Sequence, residues 1–146
     1  MTSAGNRELF ERMLRALGTK DFDGFEACLH PDVLLEWPYE VMPGYPGAQR
    51  GAAWFRDVLT ASWRDFEPFA YRIEVIHDLA RPDGLIAEYT SHSRYLPTGK
   101  PYSNRYVGMI DFADGLITRW REYVNPMIIA DVVGGAWREP AGADHG

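Results

Sequence analysis

The 146-residue chain has little cysteine, little histidine and no cluster of positive charge. Its single cysteine, Cys28, cannot form an intrachain disulfide or a cysteine-based zinc site. With no local motif around it, Cys28 reads as a small buried core residue rather than a nucleophile. His30, His77 and His92 stand apart from one another, without metal-ligand spacing, so no metal is expected. Gly44 and Gly47 lack the following Lys-Ser/Thr of a phosphate loop, and no Gly-x-Ser-x-Gly elbow occurs, so no cofactor is expected either. No apolar run approaches the ~18 residues of a membrane-spanning helix. Met1 to Arg12 carries no signal-peptide core, so no membrane is expected and the reducing cytoplasm is the expected compartment. The charge balance is 15 Lys and Arg against 21 Asp and Glu, a net −6 with no basic stripe. General binding of nucleic acid is thereby excluded as a partner class.

Aromatic side chains are abundant: 8 Tyr, 7 Phe and 5 Trp, which is 14% of the chain. That is more than the core of a small domain needs. With 46% hydrophobic and 25% charged residues, one globular domain is expected, over residues 1–138, with a frayed polar tail at 139–146.

Leu9, Phe10, Met13, Leu14 and Leu17 recur at helical steps, which predicts a helix over Asn6 to Leu17, stopped by Gly18. Asp21 caps a second, short helix holding Phe22, Phe25 and Leu29, and His30-Pro31-Asp32 ends it. Val33 to Trp37 reads as a short strand, and Pro38 to Gly51 as a Pro/Gly-rich loop. Ala52 to Phe66 returns to helix. Beyond Pro68 the pattern is sheet. Phe69 to His77 alternates, with Tyr71, Ile73, Val75 and His77 on one face and Arg72, Glu74 and Ile76 on the other. Strands follow at Leu85–Leu96, Pro101–Phe112 and Leu116–Asn125, separated by turn signals at Arg81–Gly84, Pro97–Lys100 and Ala113–Gly115. Pro126 opens a final helical turn stopped by Gly134-Gly135. Helices first and antiparallel strands last make an α+β domain.

Three passages carry a family resemblance: ALGTKDFDGFEACLHPDVLLEWP (16–38), YLPTGKPYSNRYVGMIDFADGLITRWREY (95–123) and NPMIIADVVGG (125–135). They resemble the nuclear-transport-factor-2-like superfamily, which includes ketosteroid isomerase. EWPY (36–39) and REYVNP (121–126) look like its SnoaL-like and phenazine-biosynthesis A/B branch. The resemblance implies a cone: three helices packed on a curved, mostly antiparallel sheet. It also implies a homodimer through the sheet's outer face, where Val107, Met109 and Trp120 are the expected apolar contacts.

The same resemblance sorts chemistries residue by residue. Ketosteroid isomerases place a base carboxylate where this chain has Trp37 and an oxyanion-holding Tyr where it has Met13. Limonene-epoxide-hydrolase relatives use an Asp–Arg–Asp set, and the nearest equivalents of one Asp and the Arg are Tyr89 and Ser91. The last-strand carboxylate survives as Glu122, and the SnoaL-like branch implies it as the acid/base. The competing reading pairs Glu122 with Arg105 or Arg121 on the sheet surface. Trp37, Tyr39, Tyr89, Ser91, Asn104 and Trp120 are the candidate substrate-binding residues beside it. Trp54 joins them from the third helix, where Trp63 is core first and cavity lining second. The expected function is cofactor-independent cyclisation, isomerisation, dehydration or condensation of a small hydrophobic or aromatic carbonyl compound in polyketide- or phenazine-type secondary metabolism. A non-catalytic binding or scaffold protein and an epoxide hydrolase with an altered triad are the alternatives.

Overall fold

The computed structural model describes residues 3–134. The expected domain boundary at 138, the tail and Gly135 lie outside the described residues. Helix α1 (Ser3–Gly18) turns Leu9, Phe10, Met13, Leu14 and Leu17 to the core, as their spacing requires. Gly18 is its last residue rather than a left-handed stop. The positive φ, 64°, falls on Lys20. Gly18 is small for another reason. A Cβ there would stand 2.4 Å from the carbonyl oxygen of Phe69, whose N–H donates to the Gly18 carbonyl at 2.9 Å.

In α2 (Phe22–Ala27) the Asp21 carboxylate accepts from the Gly24 N–H at 3.0 Å, the expected cap. Strand β1 (Leu29–Glu36) begins earlier than the sequence implies, because His30-Pro31-Asp32 runs on as strand. Pro31 has no N–H for the ladder, and the β1 register shifts between Leu29 and Leu34, around it. The Pro/Gly loop also holds a short strand, β2 (Ala48–Arg50), antiparallel to β1. Helix α3 (Ala52–Ser62) gives way to a 3-10 turn (Trp63–Asp65) instead of running to Phe66.

Strands β3 (Ala70–Asp78), β4 (Gly84–Tyr95), β5 (Lys100–Ala113) and β6 (Leu116–Val124) complete a six-stranded mixed sheet, and α4 (Pro126–Val133) closes the described chain. The strand order is β2-β1-β6-β5-β4-β3, with β1 parallel to β6 and every other pair antiparallel. Asp114 and Gly115, both at positive φ, make the tight β5–β6 turn.

Two bulges decide which side chains face inward. In β3, Ile73 and Val75 pair with consecutive residues of β4, so Glu74 is extra. The expected face pattern therefore breaks: Ile76 joins Tyr71 and Ile73 against the core, and Val75 is 42% exposed. In β6, Ile117 and Arg119 pair with consecutive residues of β5, so Thr118 is extra, and both Ile117 and Trp120 point inward.

The helices pack against the inner face of the sheet. One cluster centres on Phe10, Phe25, Leu35 and Ile110. A second joins Phe69, Tyr95 and Tyr102 to Val132 and Val133 of α4. The contact at Gly18 ties α1 to the approach to β3. Gly18→Ala should destabilise the fold by about 1–3 kcal/mol, because backbone rather than a flexible side chain blocks the added methyl. Urea unfolding of the variant against the parent chain measures it.

Candidate functional site

The two clusters do not close on each other completely. Between them lies a chamber of about 320 Å³, walled by residues of both. Half of its lining among the described residues is aromatic. Among the described residues the only charged side chains on its wall are Glu122 and Asp65. No Lys, Arg or His among those residues lines it.

Glu122 reaches the chamber because β6 places it on the same inner face as Trp120 and Val124. The Tyr89 hydroxyl donates to Glu122 Oε2 at 2.5 Å, and Trp120 Nε1 donates to the Tyr89 oxygen at 3.2 Å. The Trp37 side chain supplies a second hydrogen bond to Glu122. Burial outweighs both bonds and pushes the Glu122 carboxyl from 4.5 up to about 7. The surface pairing expected as the alternative does not form. Glu36 takes Arg119 at 2.5 Å and Arg121 at 3.6 Å, which leaves Glu122 to its aromatic partners.

Tyr102 and Tyr106 form a separate chain of hydroxyls. Ser91 Oγ bonds Tyr106 at 2.7 Å, Tyr106 lies 3.2 Å from the Tyr102 hydroxyl, and Asn104 Nδ2 donates to Tyr102 at 2.9 Å. Asn104 also donates to the Asn125 carbonyl at 3.1 Å and accepts from the Arg105 N–H at 2.8 Å. Burial, and after it the charge of Glu122, raises the phenols of Tyr45 and Tyr71. Tyr89, Tyr102 and Tyr106 are raised as well, first by burial. The phenols thus stay protonated at neutral pH and act as donors, while the carboxylate is the group that titrates there.

The structure brings Glu122, Trp37, Tyr89 and Trp120 into one bonded set, with Ser91 and Asn104 behind Tyr106 and Tyr102. Tyr39 and Trp54 do not join them. Tyr39 is 61% exposed, with its ring against Tyr123 at 5.6 Å on the far side of the sheet. Trp54 stacks on Phe55 at 6.4 Å, outside the chamber wall. Reading single residues missed Tyr71, Tyr102 and Tyr106. A period of two through Asn104 finds Tyr102 and Tyr106, whereas Tyr45, in the irregular loop, carries no such signal. His77 and His92 bond Glu88 and Ser103 at 2.8 and 2.7 Å, with all four side chains away from the chamber wall. Cys28 is buried, and no metal-binding group of His, Cys, Asp or Glu occurs among the described residues.

Residues 10–120 match the SnoaL-like domain model. The chain belongs to the SnoaL-like domain family. The matched span stops short of Glu122. An uncharacterised PhzA/B-like protein of Pseudomonas aeruginosa is 27% identical over 132 residues, 88% of this chain and 90% of the relative. The crystal structure of a candidate isomerase from Bacillus subtilis superposes with a TM-score of 0.86 at 23% identity, covering 95% of this chain and 100% of the other. A candidate polyketide cyclase from Xanthomonas campestris gives 0.76 at 24%, covering 92% and 100%. A Mycobacterium tuberculosis protein solved with estradiol-17β-hemisuccinate gives 0.71 at 19%, covering 86% and 95%. These likenesses establish the SnoaL-like, nuclear-transport-factor-2-like fold. No helix among the described residues is long and apolar enough to cross a membrane.

The position of Glu122 has a measurable signature in stability. Folded Glu122 keeps its proton to about pH 7, against 4.5 for the ordinary carboxyl, so the folded chain binds the extra proton between these values. Stability therefore falls as pH rises through that window. Glu122→Gln should remove the fall and gain about 1–3 kcal/mol on the parent at pH 8 relative to pH 5. Urea unfolding at the two pH values checks it. An unchanged difference would show that Glu122 does not titrate near neutrality.

Proposed function

We propose that the chain is a cofactor-independent acid/base enzyme acting on a small, uncharged, hydrophobic carbonyl compound, of the cyclase, isomerase, dehydratase or condensation type. The observation that carries this reading is a carboxyl poised near pH 7 on the wall of an aromatic chamber whose described lining has no cation. The Glu122 carboxylate takes a proton from the carbon beside the carbonyl, and the electron pair moves onto the carbonyl oxygen. Phenolic O–H groups hold that oxygen. Tyr71 suits this role, since it lines the chamber and its hydroxyl makes no hydrogen bond with the other described residues. The enolate then attacks a second carbonyl carbon, whose C=O π bond opens and whose oxygen takes the proton from Glu122; in isomerisation that proton returns at a new carbon, and in dehydration it leaves with a β-hydroxyl group as water. Flat aromatic walls hold the substrate in a reactive shape.

The relatives' names support intermediates of polyketide or phenazine type as the substrate class, and the steroid-bound neighbour supports a ligand of low polarity. An epoxide-hydrolase reading has less support. Tyr89 and Ser91 stand at two of its three positions, and both are engaged in hydrogen bonds to Glu122 and Tyr106. We also propose a homodimer through the outer face of the sheet. Val107, 38% exposed, pairs with Tyr123 there, and Val75, 42% exposed, lies farther along the same row, whereas Trp120 faces the chamber and takes no part.

With a converted substrate in hand, Glu122→Gln should lower kcat by about 100-fold or more, and kcat/KM of the parent should rise as pH passes upward through about 7. Turnover within a few-fold of the parent would remove Glu122 as the base and leave a binding protein. Trp37, Trp63 and Trp120 line the chamber, so tryptophan fluorescence reports its occupancy. 2-Acetylnaphthalene should quench it at lower concentration than 2-naphthoate, whose carboxylate finds no cation there. Light scattering at micromolar concentration should give the mass of a dimer, and Val107→Lys should give that of a monomer.

A further inference from the structure

Gly108 sits in the middle of β5, where glycine is a poor strand residue. Its φ lies outside the left-handed region, so backbone geometry does not call for it. Space does. A Cβ at this position would stand 3.0 Å from the Tyr89 hydroxyl oxygen, 3.1 Å from Tyr89 Cε1 and 3.1 Å from Ile110 Cδ1. Gly108 pairs with Ala87 of β4 on one side and with Glu122 of β6 on the other. The three form a row across the sheet, small, empty and acidic in turn.

Tyr89 starts on β4, and β6 lies two strands away, roughly 10 Å at ordinary strand spacing. Its phenol covers that distance by lying over Gly108. Tyr106 stacks on its ring at 5.1 Å and 13°, and Phe10 meets it edge-on at 5.7 Å. The ring has little room to move aside. An alanine would meet the end of the phenol that bonds Glu122.

We infer that Gly108 is a positioning residue, whose missing side chain is the passage through which Tyr89 holds the Glu122 carboxylate. The inference deepens the acid/base reading and rests on it for its consequence in catalysis, but its test needs no substrate. The other groups around the carboxylate are Trp37 at the end of β1, Tyr71 on β3, Tyr102 and Tyr106 on β5, and Tyr45 in the loop before β2. Arg119 and Arg121 of its own strand turn to Glu36 instead. Tyr89 is thus the donor from β4, and its bond favours the charged carboxylate.

The experiment is a pH titration of Glu122 by carboxyl ¹³C NMR, its resonance assigned with Glu122→Gln. Gly108→Ala should raise the Glu122 midpoint by about one pH unit, as the loss of a charge-assisted hydrogen bond does. Tyr89→Phe should raise it to the same extent, and the double variant no further. Gly108→Ala combined with Ile110→Val, which removes the crowded Cδ1, should keep the shift and guards against a variant that fails to fold. An unmoved midpoint in Gly108→Ala overturns the inference. So does an equal shift on the Tyr89→Phe background, or a shift that vanishes when Ile110 becomes Val. The acid/base reading fails separately, by turnover that survives Glu122→Gln.

Discussion

The burial of one carboxylate with no cation beside it among the described residues is the constraint on which the rest of this structure depends. Removing Glu122 from water disfavours its charge, and the two side-chain hydrogen bonds offset only part of that cost. The donors come from different parts of the chain. Trp37 follows β1, Tyr89 stands on β4, and Trp120 on β6 fixes the Tyr89 oxygen. Each donor is held by packing elsewhere. Trp37 meets Tyr45 and Phe55 edge-on, and Tyr89 lies between Phe10 of α1 and Tyr106 of β5. The helical layer thus serves the site, and the charged residue it brings to the described wall, Asp65, is exposed.

Much of the fold was legible from local rules. The apolar period of α1, the Asp21 cap and the Asp-Gly turn before β6 carry their structures in a few residues each. What stayed hidden was non-local. The run of β1 through Pro31 depends on its pairing with β6, and the close approach at Gly18 depends on a strand some fifty residues away. Bulges at Glu74 and Thr118 change which faces are inner, and alternation read from sequence assumes none. The site divides in the same way. Glu122 was found by resemblance, and Trp37, Tyr89 and Trp120 are bonded to it or to one another. Tyr39 follows Trp37 closely in sequence, yet the chain turns at Pro38 and carries it to the other side of the sheet.

The aromatic excess has two uses. Rings such as Phe10 and Phe25 fill ordinary core. Others, such as Trp63, Phe66 and Tyr102, pack edge-on and tilted around space they do not fill. Large rigid rings suit such a wall, since they support one another without collapsing into the chamber as flexible aliphatic chains would. Their hydroxyls add polarity without charge. That combination leaves Glu122 as the chamber's deep ionisable group, and Asp65 is exposed beside Phe66.

The extra residue at Thr118 gives the site a tolerance in length. Strand side chains alternate, so one residue of register separates a chamber lined by Trp120, Glu122 and Val124 from one facing Arg119, Arg121 and Tyr123. Point substitutions in the β5–β6 hairpin leave that parity intact. Deletion of Thr118 also leaves it intact, because Ile117 and Arg119 already pair with Phe112 and Asp111, which are consecutive. The bulge is thus a spare residue, one that β6 can lose with Glu122 still on the inner face.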